Sequence, residues 1–367
     1  MKNWFAKNFL GKARSGFGHG RKLVWLLASG LWAAHALAAN SMGAMPPPGP
    51  KPQVGKRIIF VAADFKNAGV IGVYRGLEAA ARTLAWKVDV VDGQGKPDVL
   101  ARLMDSAVAD GYDGIVLGGF DASKFGAQVA LAKKAGRSLV GWHSVKEPGP
   151  TRDLFTNVAT DTNEVARMAA DFVIQDARAA KKELGVVIFN DSEFAVANAK
   201  TEVMTKTLEA CAGYQRCKLL AVQNVAIAKA NTVMGEVVAK LAADHGTAWT
   251  YSLAINDIYF DHLGTALATA RRTDVQNVSA GDGSNKAFAR IELGSGQQIA
   301  SVAEPLKMQG YQLADELNRA FARAPHSGVV SKPILVTQAL LKTTGKRGIE
   351  SMLGFEAAYE AVWKKGR

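Results

Sequence analysis

The chain has 367 residues, 48% of them apolar, and 45 Lys and Arg against 33 Asp and Glu, a formal net charge of +12. Six of the cations (Lys2, Lys7, Lys12, Arg14, Arg21 and Lys22) crowd an acid-free N-terminal stretch. The other 39 face all 33 acids, and a net +6 there excludes a nucleic-acid surface built on bulk charge. Six histidines without metal-ligand spacing and only two cysteines give no zinc module.

Behind the cations comes the apolar run Leu23–Ala34 and then the small-residue box Ala36-Leu37-Ala38. That order predicts a secretory signal over 1–38, cut near Ala38 or Ala39, and hence a periplasmic protein. The apolar run is shorter than the roughly 20 residues of a membrane-spanning helix. Export removes the protein from cytoplasmic NAD and ATP, which disfavours an enzyme using either. Residues 39–55, with Pro46, Pro47, Pro48, Pro50 and Pro52, read as an extended tether. No later stretch is apolar and long enough to span a bilayer, so a soluble mature protein is expected.

From Arg57 onward, β-prone runs alternate with helix-forming ones. Strands are expected at 58–62, 87–91, 114–117 and 138–142, with helices at 70–84, 97–109 and 122–135 between them. The pattern then restarts: helices at 163–180, 197–211, 232–245 and 263–272, strands at 185–189, 218–222, 249–254 and 276–280. Strict alternation at this spacing means βαβ units, and two runs of it mean two doubly wound parallel-sheet lobes of similar α/β architecture. The roughly 330 residues beyond the signal also exceed the usual single-core limit of about 250–300. Cys211 and Cys217 are close enough in sequence to pair in an oxidising compartment, provided the chain turns at Ala212-Gly213-Tyr214; two buried thiols are the alternative.

In open parallel sheets ligands sit beyond the carboxyl ends of the strands. Those exits carry Asp64-Phe65-Lys66-Asn67, Trp142-His143-Ser144, Asn190 to Phe194, Asn256-Asp257 and Asp282-Gly283: hydrogen-bonding groups beside aromatic faces, suited to a polar molecule with apolar flats. Asp64 and Asp257 have helix capping as an alternative role, and Asp282-Gly283 a plain turn. The glycines after the first strand, Gly69, Gly72 and Gly76, lack the dinucleotide spacing, and no phosphate loop, HExxH or GxSxG motif occurs. No cofactor is expected. His143 with Asp282 is the one pair from which hydrolytic chemistry could be assembled.

With its opening strand and Asn67, Gly76-Leu77-Glu78-Ala79-Ala80, Asp110 to Leu117, Ala254-Ile255-Asn256-Asp257, Ala280-Gly281-Asp282-Gly283 and Ile299 to Pro305 before Gln309-Gly310, the chain resembles a type I, ribose-binding-like periplasmic binding protein over nearly all of residues 56 to 340. The resemblance implies two lobes joined by a three-segment hinge, crossing near Thr156–Asp161, Ala303–Pro305 and Pro333–Val336. The first lobe would comprise 56–158 plus 304–334, the second 159–303 plus 335–367. It implies a monomeric receptor, not an enzyme, that traps a small polyhydroxylated ligand by hinge closure and delivers it to an ABC permease; a sensor signalling to a receptor kinase or chemoreceptor is the alternative. The family's contact positions fall on Asn67, Trp142, His143, Asn198, Asn256, Asp282 and Glu304, to which the strand exits add Asp64, Phe65 and Asp257. Gly69 and Val70 stand where aromatics are usual, Trp142-His143 replaces an Asp-Arg pair, and an Arg is missing at Asn198. These departures point away from simple ribose or glucose and toward an acid-rich cleft complemented by hydroxyls or a cationic ligand group; Gly141-Trp142-His143-Ser144 with Pro148 also resembles the branch that binds furanosyl autoinducers and deoxysugars.

Overall fold

A computed structural model describes residues 46–212, 217–344 and 348–366. The expected signal over 1–38, the first part of the tether and the turn at Gly213-Tyr214 lie outside the described residues.

The first lobe is a five-stranded parallel sheet in the order β2-β1-β3-β4-β5, formed by β1 (Arg57–Ala62), β2 (Lys87–Asp92), β3 (Gly114–Gly118), β4 (Ser138–Trp142) and β5 (Thr156–Val158). Ile58 to Ala62 are buried on both faces, as expected of a central parallel strand covered by helices. The crossover helices are α1 (Ala68–Thr83), α2 (Pro97–Ala109) and α3 (Gly126–Lys134). The second sheet runs β11-β10-β9-β8-β6-β7, from β6 (Leu184–Asn190), β7 (Cys217–Asn224), β8 (Tyr251–Ala254), β9 (Gln276–Ser279), β10 (Gln298–Ala303) and β11 (Ile334–Thr337). All its pairings are parallel except β10 with β11. Its helices include α4 (Thr162–Ala179), α5 (Ala195–Ala212), α6 (Ala230–His245), α7 (Phe260–Thr269) and α8 (Asn285–Leu293). Cys211, at the end of α5, and Cys217, at the start of β7, form a disulfide with Cα atoms 5.8 Å apart.

Three segments connect the lobes. One follows β5, another is Glu304-Pro305 after β10, and the third precedes β11, where Ser331 bridges Thr160. The second leads into α9 (Leu306–Phe321), which packs along α1 in the first lobe. After β11, α10 (Gln338–Thr344) lies against α8 in the second lobe.

The tail departs from the expected division. Residues 335–367 were expected in the second lobe, yet α11 (Phe355–Lys365) buries Phe355, Tyr359 and Trp363 in the same apolar cluster as Ile58, Phe60 and Leu77. Trp363 stacks on Tyr311 of α9 with ring centroids 6.1 Å apart, and its Nε1 donates to Asp315 at 2.8 Å. The tether is likewise no free linker over its described part. Arg319, ion-paired with Asp315 at 2.7 Å, donates to the carbonyl of Pro47 at 2.9 Å, and the Trp86 indole donates to Gln53 at 2.6 Å. The prolines keep the segment extended, which leaves its carbonyls free for these donors.

Candidate ligand-binding cleft

The strand exits of the two sheets face one another across a cleft of about 610 Å³ counted to its open mouth, within the range of ligand sites. The first-lobe wall presents Asp64, Asn67, Trp142 and His143, and the second-lobe wall Phe194, Lys200, Asn256 and Asp282. The lips touch: the Lys124 ammonium donates to the Glu193 carbonyl at 2.5 Å. Deeper in, a Cβ on Gly69 would stand 2.3 Å from Asp282 Oδ2, so only glycine lets the start of α1 approach the opposite wall this closely.

Trp142, at the end of β4, is 2% exposed, and its Nε1 donates to Gln309 Oε1 at 2.8 Å. His143 has φ 49°, a left-handed backbone that is uncommon outside glycine and concentrates at functional sites. This turn sets its ring edge-on to Trp142, 4.6 Å between centroids, and brings Nε2 to 3.0 Å from Glu304 Oε2. Glu304 is a hub. Its Oε2 also accepts from Gln309 Nε2 at 3.0 Å and from the Thr160 amide at 3.4 Å, while Gln309 reaches Ser331 Oγ at 2.9 Å. One carboxylate thus ties the cleft's His143 to all three lobe crossings. Burial alone would raise the Glu304 carboxyl, but His143 and Lys200, with the Gln309 hydrogen bond, overcome it and hold the group well below the usual carboxylate range. An ionised carboxylate only accepts, so Nε2 carries a hydrogen and donates it to Glu304. Nδ1 is then left buried with no hydrogen-bond partner among the described residues.

The other expected residues divide into two groups. Asn67 caps α1, accepting from the Gly69 amide at 2.9 Å, and lines the cleft. Asp64 accepts from the Lys66 amide with Oδ1 at 2.8 Å and lines the cleft. Asn256 donates to Asp282 Oδ2 at 2.6 Å, fixing that carboxylate in the cleft wall. Burial pushes the Asp282 carboxyl up to about 6, against the pull of Lys200. Phe65, Asp257, Asn198 and Glu304 are not brought to the cleft surface. Phe65 packs edge-on to Tyr74, and Glu304 lies behind His143. Asp257 caps no following helix: it accepts from the Gly283 and Ser284 amides at 2.8 and 3.2 Å and from Gln298 at 2.7 Å, bracing the loop that carries Asp282. Asn198 is exposed and joins Asn190 and the Ser192 carbonyl, both at 3.0 Å.

Lys200 is the residue that sequence reasoning missed. It lies two positions beyond Asn198 on α5, about 200° around the helix, and so on the opposite face. Its side chain is 4% exposed, with the ammonium 3.8 Å from Glu304 Oε1 and 3.4 Å from the Ile255 carbonyl. The cleft therefore carries its own cation, and the acid-rich site expected from the sequence is in part neutralised from within.

Comparison with known proteins agrees with this geometry. The family model described as a periplasmic binding protein domain matches residues 58–323. A myo-inositol binding protein from Caulobacter, solved with myo-inositol, superposes with TM-score 0.67 at 19% identity, covering 81% of this chain and 98% of its own. A sugar ABC transporter protein from Yersinia enterocolitica gives 0.71 at 15% identity over 88% of this chain and all of that one. A solute binding protein from Actinobacillus succinogenes, solved with D-allose, gives 0.66 at 17% identity, covering 79% of this chain and 100% of its own. No match is found among curated protein sequences.

Proposed function

The chain belongs to the periplasmic binding protein family, and from that premise we propose that it is an exported, monomeric receptor. It traps a small, neutral, polyhydroxylated solute between its lobes and hands it to an ABC permease. The observation that carries this reading is the set of polar atoms on the two walls that the protein leaves unpaired or poorly paired: His143 Nδ1 on one side and the Lys200 ammonium on the other. With the second carboxylate oxygens of Asp64 and Asp282 and the Asn67 amide, they supply both donors and acceptors. A hydroxyl both gives and takes a hydrogen bond, so vicinal hydroxyls match this mixture. The myo-inositol and D-allose bound by two structural neighbours are of that class.

Charge argues the same way. Glu304 Oε2 is taken by His143, Gln309 and Thr160, and Lys200 stands 3.8 Å from its Oε1, so Asp64 and Asp282 are the carboxylates that line the cleft, with Lys200 in the same lining. An anionic solute meets two carboxylates, and the cationic one left open by the sequence meets an ammonium already in place. Closure follows from differential affinity: a solute touching both walls binds the closed state better and shifts the population toward it.

A thermal-shift screen of the purified protein against cyclic polyols, aldohexoses, linear alditols, aminosugars and furanones tests the proposal. A solute that binds only the folded state raises the melting temperature. The expected result is a rise of several degrees with a neutral polyol or sugar that vanishes in Trp142→Ala and Asp282→Ala. A panel with no such solute, or a response confined to amines, refutes it.

A further inference from the structure

We infer that the C-terminal tail is a fourth crossing between the lobes, outside the three-segment hinge, and that it limits how far the cleft opens; this rests on the hinge-closing receptor reading above. The tail lies beyond residues 58–323, where the family model matches, so the match assigns it no role.

The chain changes lobes within a few residues. Ile349 is buried in the second lobe with Ile291 of α8, Val336 of β11 and Leu341 of α10. Leu353 is buried with Phe355, Tyr359 and Trp363 in the first-lobe cluster. Between these two anchors runs a single 3₁₀ turn, Glu350–Leu353. Glu350 adds a pin to it. Pro305, which precedes α9, offers no side chain to cap that helix, and the Glu350 carboxylate accepts from the Met308 amide at 3.0 Å instead. Glu356, in the first turn of α11, pairs with Lys307. The tail is thus fastened to the helix that leaves the second hinge crossing.

The place of this crossing decides what it can do. Glu350 lines a groove with Ile71 and Arg75 of α1 on one side and Ser284 and Phe288 of the second lobe on the other. Those sides belong to the two bodies that part when the cleft opens, so a chain running between them must lengthen. Its slack is small: the four steps from Ile349 to Leu353 span about 8 Å as a 3₁₀ turn and at most about 14 Å fully extended. Once the turn is drawn out, further opening pulls Ile349 or Leu353 from its cluster and returns apolar surface to water. The unliganded protein is thereby held to a narrower range of open states, and a larger fraction of it stands ready to close on a solute.

The test is the distance between the lobes, read by pulsed electron spin resonance from nitroxides on Ala127→Cys in α3 and Glu209→Cys in α5. It is measured with and without a Gly-Ser-Gly-Ser-Gly-Ser insertion between Ser351 and Met352. All four positions are exposed, and Cys211 and Cys217, bonded to each other, take no label. The insertion keeps both anchors and removes only the limit on length. In the solute-free protein it should move the distance outward by about 5 Å or more and broaden it. With a neutral polyol or sugar from the screen above bound, the two proteins should give the same distance. Ile349→Ala, which loosens one anchor without adding chain, should shift the solute-free distance the same way by less, and melting curves confirm that each variant folds. Solute-free distances that coincide with and without the insertion overturn this inference alone. A distance that no solute of the screen changes in either protein overturns the receptor reading and this inference with it.

Discussion

Asp257 and Asp282 are two buried carboxylates at neighbouring strand exits of the same lobe, and they are treated in opposite ways. Asp257 accepts from two backbone amides, from Gln298 and from Ser301 Oγ at 3.3 Å, so its acceptor capacity is used within the protein. Asp282 receives the Asn256 amide on Oδ2 and shows its remaining capacity to the cleft, beside a lysine and a histidine that are also incompletely paired. Burial raises the carboxyl of both. Burial and a shifted carboxyl therefore do not tell structure from function here; the unused hydrogen-bonding capacity does. A satisfied polar cluster holds a loop, and an unsatisfied one awaits a ligand.

The largest expected effect lies on the satisfied side. Asp257→Ala strands the Gly283 and Ser284 amides and the Gln298 side chain, and urea unfolding should show a loss of about 3 kcal/mol or more. A loss below about 1 kcal/mol would break the distinction. Gly69→Ala probes the cleft side. Its methyl collides with Asp282 when the lobes close, so solute affinity should fall about 100-fold, near 2.7 kcal/mol. The melting temperature of the unliganded protein should change little, because alanine suits a helix better than glycine.

A smaller effect is the dependence of stability on pH. Burial holds Asp282 and Glu350 up to about 6 and Glu316 up to about 7. Once unfolded, these carboxyls release their protons near pH 4. Between about pH 4 and 7 the folded state binds more protons, so stability falls as pH rises through that window and levels off above it. Glu304, held low, is ionised throughout the window; its contribution is lost only as pH falls below the unfolded carboxyl value. Melting temperatures should thus be highest near pH 4 and decline toward 7.5, each raised group contributing on the order of 1–3 kcal/mol. Asp282→Asn should flatten part of that decline, and an unchanged slope would remove Asp282 from the account.

The sequence made the alternating strands and helices legible because buried parallel strands are continuous apolar runs and their crossover helices are not. Strand exits such as Trp142-His143 and Asp282 followed from the same rule. The destination of the tail did not. Phe355, Tyr359 and Trp363 recur at helical spacing and announce a buried stripe, but nothing local says which lobe receives it. Beyond Gly281 the alternating pattern assigned no further elements, whereas α8, α9 and α11 are full helices and α9 packs along α1, far back in the chain. Lys200 was hidden because a lysine on a helix ordinarily faces water. Asn198, named through the family resemblance, is exposed on the face of that helix opposite Lys200.

The most direct measurement is the calorimetric affinity of the polyol or sugar found by thermal shift, in wild type, Asp282→Ala and Asn198→Ala. An unsatisfied cleft that exists for a solute predicts at least a 100-fold loss in Asp282→Ala and a change within about twofold in Asn198→Ala. Equal affinity in wild type and Asp282→Ala would contradict the account.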